Sequence, residues 1–300
     1  MSAEPNPSLR VVLFSDVDAR IVPALDRILR AAGHRLVAVV TGPGPKSRRN
    51  DTYLDIVRAT PPQIDVIVTT HIKRLPELLK PYDADLFWVF GFLRILPEEV
   101  LDMPPLGTIN THAGLLPKYR GPNPIGWAFR NDDGQIGWTI HRMTSVVDGG
   151  PILAQGAFPY RDEDQFESLV PGWAGMLPGL AMQALERVIA RDPGDPQDES
   201  QAGYAGAFEP EWRQIDWSQT ARSIHNQVRS LNGFRGLGLG AWGDIDGEQT
   251  LIVRTALMPK GASSPMAVPG DVIERDGDSM VVMCGDGPLR ILRWQAGEAG

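Results

Sequence analysis

The chain has 300 residues, of which 42% are hydrophobic and 22% charged, which is typical of a folded globular protein with one large or two modest domains. Its formal net charge of -8 argues against broad nonspecific binding to nucleic acid, although a local basic patch would still suit tRNA. The single cysteine, Cys284, excludes an intramolecular disulfide framework, and no Cys/His cluster indicates a metal site. The apolar run that contains Cys284 predicts a buried strand thiol.

Strand-like and helix-like segments alternate along the first part of the chain. The first ten residues lack an apolar signal region and no apolar run reaches membrane-spanning length, so we expect a cytoplasmic protein without a membrane span. Short apolar runs predict strands, and amphipathic segments between them predict helices. The predicted strands are 10–14, 35–41, 65–69, 84–90 and 108–112, and the predicted helices are 18–32 and 51–59. This alternation predicts a Rossmann-like, doubly wound α/β sheet.

A loop of glycine, proline and basic residues follows the second predicted strand. The sequence G-P-G-P-K-S-R-R at residues 42–49 cannot continue regular structure. No GxGxxG sequence follows the first strand, so nothing indicates dinucleotide binding. Lys46, Arg48 and Arg49 are candidate contacts for an anionic acceptor, and a plain solvent-exposed loop is the alternative interpretation.

The fourth predicted strand is apolar throughout and runs into Gly91. A continuous apolar strand is typical of the buried centre of a parallel sheet. In open α/β sheets, ligands bind beyond the carboxyl ends of the strands. We therefore expect the segment that follows Gly91 to adjoin a ligand site.

The stretch from Gly107 to Gly150 contains the candidate catalytic groups. Alternate residues of a strand share a face, so Asn110 and His112 should point to the same side. A lone acid, Asp148, follows roughly forty residues later and precedes two glycines. An Asn can donate to a carbonyl oxygen, a His can exchange a proton near neutral pH, and a nearby carboxylate should fix the imidazole tautomer and raise its pKa. Acyl transfer to an amine needs these groups.

The second half of the chain continues the α/β pattern and then changes character. Residues 124–130 and part of 166–191 predict helices, and 135–143 and 151–160 predict strands. His141, in the first of these strands, is interpreted as a structural residue. The run 192–207 is rich in Pro, Gly and Asp and predicts a linker.

The C-terminal part contains one predicted helix and several short strands. The helix begins at residues 215–218, with Ser218 as its N-cap, and ends at Asn232. Four β-like runs follow, at 249–254, 270–273, 280–284 and 288–294. They predict a small OB-like β-barrel. The predicted division is therefore a catalytic domain (1–192), a linker (193–207) and an OB-like domain (208–300).

The Asn110–Asp148 stretch resembles a known enzyme family. It contains N-x-H-x-x-L-L-P-x-Y-R-G, then G-x-T-I-H-R-M, and then D-x-G. In these motifs the chain is similar to the formyltransferases that use 10-formyltetrahydrofolate as formyl donor. The resemblance implies that Asn110, His112 and Asp148 are the catalytic trio. One departure is Gly114, where many members have Ser.

The same resemblance implies further binding residues and a C-terminal domain. The I-D-W and I-H-N-x-V-R sequences, together with C-G-D-G-P-L-R-I-L, look like the domain attached to many of these enzymes, and His225 is interpreted there as a packing residue. The implied contacts to the folate are Phe92, Leu93, Arg94, Ile95, Val146 and Val147. The candidate contacts to the acceptor, besides the basic loop, are Lys118, Tyr119 and Arg120.

The sequence leaves three acceptors open. A small amine, such as an aminosugar nucleotide or an amino-acid derivative, is favoured because K-Y-R-G, T-I-H-R-M and C-G-D-G-P-L look like the domain that formylates UDP-4-amino-4-deoxyarabinose. Residues 208–300 also hold nine Lys or Arg against twelve Asp or Glu, which suits tRNA poorly. Methionyl-tRNA is the first alternative and water, giving hydrolysis, is the second. A folate-binding protein without turnover is disfavoured because the whole trio is present.

Overall fold

The computed structural model describes residues 8–45, 51–232, 240–259 and 266–297. Its first sheet has seven strands: β1 (Arg10–Phe14), β2 (Arg35–Thr41), β3 (Asp65–Val68), β4 (Leu86–Phe90), β5 (Thr108–His112), β6 (Gln135–Arg142) and β7 (Ile152–Pro159). The helices between and after them are α1 (Ile21–Ala31), α2 (Thr52–Ala59), α3 (Leu75–Leu79), α4 (Glu98–Leu101), α5 (Pro124–Arg130) and α6 (Phe166–Ile189). The seven predicted strands and the four predicted helices are present in the predicted order, and the structure adds α3 and α4.

The strand order in this sheet is β3-β2-β1-β4-β5-β6-β7. The chain builds outward from β1 to β3 and then returns to place β4 on the other side of β1, which creates a topological switch point between β1 and β4. All five residues of β4 are buried, as its continuous apolar sequence predicts. The strands from β3 to β5 are parallel, and β6 pairs with β5 in the antiparallel direction.

A second sheet forms the C-terminal domain. After α7 (Ala221–Leu231), the strands are β8 (Ala241–Ile245), β9 (Glu248–Leu257), β10 (Val272–Asp276), β11 (Ser279–Met283) and β12 (Pro288–Ala296). They form a five-stranded sheet in the order β10-β11-β12-β9-β8, and each of its neighbouring pairs is antiparallel, which confirms the OB-like prediction. Cys284 is buried directly after β11, and burial raises the pKa of its thiol to about 12, as expected for an inert structural cysteine.

The predicted start of α7 is wrong by a few residues. The N-cap is Thr220, whose hydroxyl accepts the Ser223 N–H at 3.1 Å, and the helix begins at Ala221. Ser218 instead donates its hydroxyl to the Asp216 carboxylate at 2.7 Å, and its N–H donates to the same oxygen at 2.9 Å. Ser218 is therefore held in a turn by an aspartate side chain before the helix starts.

The chain divides into two compact units. The first contains Met1–Arg120, Trp138–Gly156 and Gly175–Ala202, and the second contains Gly121–Gly137, Ala157–Ala174 and Gly203–Gly300. Residues 193–207, predicted as a single linker, are shared between these units, and the predicted domain boundaries stay predictions. Within the described ranges, no helix is both long and apolar enough to cross a membrane.

His225 is fully buried on α7 in the second unit. Its Nε2 lies 2.7 Å from the carbonyl oxygen of Asp162 and must donate, because a carbonyl only accepts. Its Nδ1 lies 2.8 Å from the Thr255 hydroxyl and therefore accepts. Burial lowers the pKa of His225 to about 4, so the neutral imidazole that this packing requires is the stable form at neutral pH.

Lowering the pH should destabilise the protein through His225. The pKa of His225 is lower in the folded chain than its unfolded value of about 6.5, so the unfolded chain binds the proton first. Its contribution to the free energy of unfolding is present above about pH 6.5 and is lost toward about pH 4, by about 3 kcal/mol at most. Urea unfolding at a series of pH values measures this loss.

His225→Gln is the control for this prediction. A glutamine can donate to Asp162 and accept from Thr255 without titrating, so the variant should show a flatter dependence of unfolding free energy on pH. Identical pH dependence in the variant and the wild type would show that His225 is not the titrating group.

Candidate active site

The end of β5 brings two polar side chains toward the loop between β6 and β7. Asn110 Nδ2 donates to Asp148 Oδ1 at 3.2 Å, and His112 Nδ1 lies 3.5 Å from Asp148 Oδ2. His112 is buried and Asn110 is half-buried. The structure therefore brings together the three residues that the sequence nominates, and both predicted β5 side chains face the same carboxylate.

The tautomer of His112 follows from its second contact. Its Nε2 lies 2.6 Å from the carbonyl oxygen of Tyr119 and must carry a proton to donate there. In the neutral ring, Nδ1 is then unprotonated and faces Asp148. This ring nitrogen is free to accept a proton, and the carboxylate beside it would stabilise the resulting cation.

Asp148 acts to raise the pKa of His112 as expected, but the net shift is in the opposite direction. Burial lowers the pKa of His112 below its ordinary value, and the opposing effect of Asp148, which raises it, is the smaller of the two. The nearby His141 lowers it further, while the hydrogen bond to Tyr119 raises it. His112 is therefore neutral at pH 7, in the state that a general base requires.

His141 is a member of the site, although the sequence suggests only a structural role. Its Nδ1 lies 2.8 Å from the carbonyl oxygen of Arg142 and donates to it, which leaves Nε2 as an acceptor. That Nε2 accepts from Asn110 Nδ2 at 3.2 Å and lies 3.4 Å from Asp148 Oδ1. The antiparallel register of β5 and β6 pairs Asn110 with His141. This pairing cannot be read from the sequence.

Both N–H bonds of Asn110 are used in this arrangement. One is directed at His141 and the other at Asp148, each at 3.2 Å, a long distance for such a bond. Because a carboxylate oxygen of Asp148 accepts, the nitrogen of the Asn110 amide, and not its oxygen, must point into the site. To donate to a formyl oxygen, Asn110 has to redirect one of these two weak bonds.

Asp148 sits in a turn with an unusual backbone. Its φ of 50° lies in the left-handed region, which is uncommon for a residue with a side chain, although Asp tolerates it better than most. Gly150 closes the turn, and a Cβ at that position would lie 1.8 Å from the carbonyl oxygen of Arg142. Glycine is therefore required at Gly150 by the close approach of the β6 backbone.

Asp16 lies at the switch point between β1 and β4. Its buried carboxylate accepts the N–H groups of Gly42 (2.9 Å) and Leu93 (3.1 Å), and it pairs with Arg94 Nη1 at 3.3 Å. Burial raises the pKa of Asp16, whereas these donors act in the opposite direction. The Leu93 N–H and one arm of the Arg94 guanidinium, both predicted to contact folate, are thus used inside the protein.

The other predicted folate contacts differ in their exposure. Phe92 packs into the core, with its ring 5.5 Å from that of Phe14. Ile95 is 81% exposed, and Val146 and Val147 are 58% and 50% exposed. Exposed apolar side chains suit a flat ligand with apolar parts, and Val146 and Val147 directly precede the half-buried Asp148, so these residues are compatible with a folate.

Gly91 directly follows β4. Its φ is 60°, and a Cβ there would lie 2.1 Å from the Val17 side chain. Glycine is therefore required by the turn after β4 and by packing against Val17, whatever binds nearby.

The predicted acceptor contacts fall into three groups. Lys46, Arg48 and Arg49 lie outside the described residues. Lys118 is exposed, and its ammonium lies 4.9 Å from the centre of the buried Tyr119 ring. The guanidinium of Arg120 donates to Gln197 and Glu199 within the first unit. These assignments stay predictions, and for Arg120 the donors are already engaged.

The arrangement defines a class of chemistry. A neutral imidazole with an open nitrogen, an amide N–H donor and a carboxylate lie together beside an open α/β sheet, which are the groups needed to transfer an acyl group to a nucleophile. In the described part of the chain, no group of three or more His, Cys, Asp or Glu residues is arranged to hold a metal ion. The fold and site are those of an acyl-group transferase.

Comparison with known proteins gives the family. A family model described as formyl transferase matches residues 13–174, and one described as formyl transferase, C-terminal domain, matches residues 208–299. The methionyl-tRNA formyltransferase of Pelobacter propionicus is 33% identical over 296 residues, which cover 96% of this chain and 89% of that protein. That of Moorella thermoacetica is 34% identical over 295 residues, covering 96% and 91%. This chain belongs to the formyltransferase family.

Solved structures share the fold. An N-formyltransferase from Helicobacter canadensis, in complex with folinic acid and dTDP-3-aminofucose, matches with a TM-score of 0.68 at 21% identity, covering 96% of this chain and 100% of that one. HypX from Aquifex aeolicus, in complex with tetrahydrofolic acid, matches with a TM-score of 0.68 at 20% identity and covers 97% of this chain. This chain spans 45% of HypX.

These findings decide several of the predictions. The formyltransferase resemblance, the α/β domain followed by an OB-like domain and the use of 10-formyltetrahydrofolate as formyl donor are confirmed. The preference for a small amine as acceptor is not confirmed, because relatives over nearly the whole chain are named for methionyl-tRNA.

Replacing His141 tests whether it orients Asn110. His141→Ala should lower kcat by about tenfold or more, because the Asn110 amide loses one of its two fixed partners. His141→Gln can still offer an acceptor oxygen to the same N–H and should retain most of the activity. Formyl transfer per folded molecule measures both variants, and wild-type kcat in His141→Ala would show that Asn110 does not depend on this histidine.

Proposed function

We propose that this chain transfers the formyl group of 10-formyltetrahydrofolate to the amino group of methionyl-tRNA. The observation that carries the choice of acceptor is the extent of the similarity to methionyl-tRNA formyltransferases. At 33% identity it covers 96% of this chain and 89% of the Pelobacter propionicus relative, and so includes the C-terminal domain as well as the site. The site itself supports the chemistry and is compatible with any amine acceptor.

The folate supplies a formyl group on its N10, and the residues of this chain prepare the attack of an amine on it. Asn110 redirects one N–H to the formyl oxygen, where negative charge grows as the amine nitrogen bonds to the formyl carbon. His112, neutral because it is buried, accepts the proton that the amine nitrogen loses. The open position for that proton is Nδ1, which faces Asp148.

Asp148 connects these two events. Its Oδ1 accepts from Asn110, and its Oδ2 lies 3.5 Å from the ring nitrogen that receives the proton. A proton on His112 Nδ1 turns this contact into an ion pair, so the carboxylate stabilises the charged imidazole only after the proton arrives. The proton is then available for the N10 nitrogen from which the formyl carbon departs.

The mechanistic roles predict distinct variants. Asn110→Ala should lower kcat by ~10²-fold or more, as expected for loss of an oxyanion donor. Asp148→Asn keeps the shape of the turn but removes the charge that raises the pKa of His112, so the pH dependence of kcat should shift toward acid. Pre-steady-state transfer measured against pH tests both. Unchanged pH dependence in Asp148→Asn would rule out the proposed pairing with His112.

A second candidate acceptor is a small amine such as an aminosugar nucleotide. The charge of residues 208–300 favours a small amine, because this segment contains nine Lys or Arg and twelve Asp or Glu. A phosphate backbone is best bound by a cationic surface. The structural neighbour solved with dTDP-3-aminofucose has the same fold. At 21% identity this likeness concerns the fold and leaves the acceptor open.

Supplying purified protein with 10-formyltetrahydrofolate and one acceptor at a time separates the candidates. We expect tetrahydrofolate release to require methionyl-tRNA, with a KM for that tRNA that rises steeply with salt because binding displaces counterions. Uncharged tRNA is the matched control and should give no release. Release with dTDP-3-aminofucose alone would favour the small amine, and release with no acceptor would establish hydrolysis.

A further inference from the structure

Gln197 is distant from Asp148 in sequence, but its side chain ends on the backbone of the Asp148 turn. Its Nε2 lies 2.8 Å from the carbonyl oxygen of Asp148 and 2.7 Å from that of Gly150. Both carbonyls accept, so each N–H of the amide has a partner on the turn. A single side chain therefore holds both ends of a three-residue turn.

Arg120 fixes the direction of the Gln197 amide. Its Nε donates to Gln197 Oε1 at 3.0 Å, so the oxygen faces the guanidinium and the NH2 group faces the turn. Glu199 holds the guanidinium in turn, accepting from Nη1 at 3.0 Å and Nη2 at 2.7 Å. Glu199 and Arg120 therefore support the Gln197 side chain that contacts the Asp148 turn.

The segment that carries Gln197 is itself anchored. Asp195, two residues earlier, exchanges two backbone hydrogen bonds with Ile152, the first residue of β7, both at 2.8 Å. The Arg187 side chain, near the end of α6, forms ion pairs with Asp192 at 2.7 Å and with Asp195 at 2.8 Å. Gln197 therefore extends from a segment fixed to both a strand and a helix of the first unit.

The Asp148 turn depends on such support. A left-handed backbone, such as that of Asp148, is unfavourable for a residue with a side chain. The carboxylate lies 3.2, 3.5 and 3.4 Å from its partners on Asn110, His112 and His141, which are long distances. The Gln197 bonds at 2.8 and 2.7 Å are shorter and act on the backbone, which sets where the carboxylate can reach.

We propose that Gln197 is a positioning residue for formyl transfer: it holds the Asp148 carboxylate where it can share a proton with His112. This inference rests on the proposed function, in which His112 receives the proton of the amine. When the two bonds from Gln197 are removed, the turn can relax and the mean distance between Asp148 and His112 increases. The chemical step then slows.

Two substitutions separate the positioning role from loss of bulk. Gln197→Ala removes the side chain. Gln197→Glu keeps its length and an acceptor for Arg120, but it presents a carboxylate oxygen to two carbonyls in place of the N–H donors. Gln201→Ala is the matched control, a neighbour whose side chain donates to Asp198 at 2.7 Å.

We expect both Gln197 variants to lower kcat about tenfold, since small displacements of a catalytic group have effects of this size or larger. The pH dependence of kcat should shift toward acid, because a more distant Asp148 supports the charged form of His112 less well. Gln201→Ala should match the wild type. Wild-type kcat in folded Gln197→Glu overturns the proposal.

A second measurement, hydrogen exchange, needs neither the formyl donor nor the acceptor. The Gly149 N–H donates to the Val146 carbonyl oxygen at 3.1 Å inside the turn, and its hydrogen exchange reports local opening. Exchange at Gly149 should be about tenfold faster in Gln197→Ala than in the wild type or Gln201→Ala. Unchanged exchange overturns the proposal. A wild-type protein that transfers no formyl group would instead contradict the proposed function, and the exchange rate would still decide whether Gln197 holds the turn.

Discussion

The antiparallel pairing of β6 with β5 is the constraint on which the site depends. Residues directly opposite each other in two paired strands project to the same face of the sheet, so the register that pairs Asn110 with His141 brings these side chains together. The loop after β6 then folds back far enough for Asp148 to reach Asn110 and His112. β6 ends at Arg142, opposite Ile109, so the loop starts beside the Asn110–His141 pair. The reversal of one strand in an otherwise parallel run therefore assembles the cluster.

Burial determines the charge state of two histidines in this protein more than their neighbours do. For His112 the loss of water outweighs the attraction of Asp148, and for His225 it gives a permanently neutral imidazole at physiological pH. The two histidines differ in the surroundings of their ring nitrogens. Both nitrogens of His225 have partners that suit the neutral ring, whereas His112 has one nitrogen satisfied and one facing an acid. His225 is consequently suited to packing, and His112 is suited to accepting a proton.

The sequence predicts what depends on short stretches of chain. Apolar runs locate β1 to β5, and strand alternation with the family motifs locates Asn110, His112 and Asp148. Local turns shift the element ends: α1 begins at Ile21 because the Asp18 carboxylate accepts the Arg20 N–H at 2.9 Å in a turn before it. The strand β8 was missed because glycine and aspartate interrupt its apolar pattern. His141 and Gln197 could not be recognised as members of the site, since their roles require the pairing of distant segments.

The backbone hydrogen bonds between Asp195 and Ile152 also determine which fragments of the chain would keep the site intact. The composition of residues 192–207 is that of a linker. The first part of this segment nevertheless belongs to the first unit, which extends to Ala202. A fragment that ended at Asp192 would keep all three predicted catalytic residues and lose the side chain that holds the Asp148 turn. Since the Glu199 side chain is 72% exposed, a single proteolytic cleavage beside it would remove Glu199 from Arg120 without touching the sheet. Sensitivity of this protein to proteases would then appear as lost activity before any loss of folded structure.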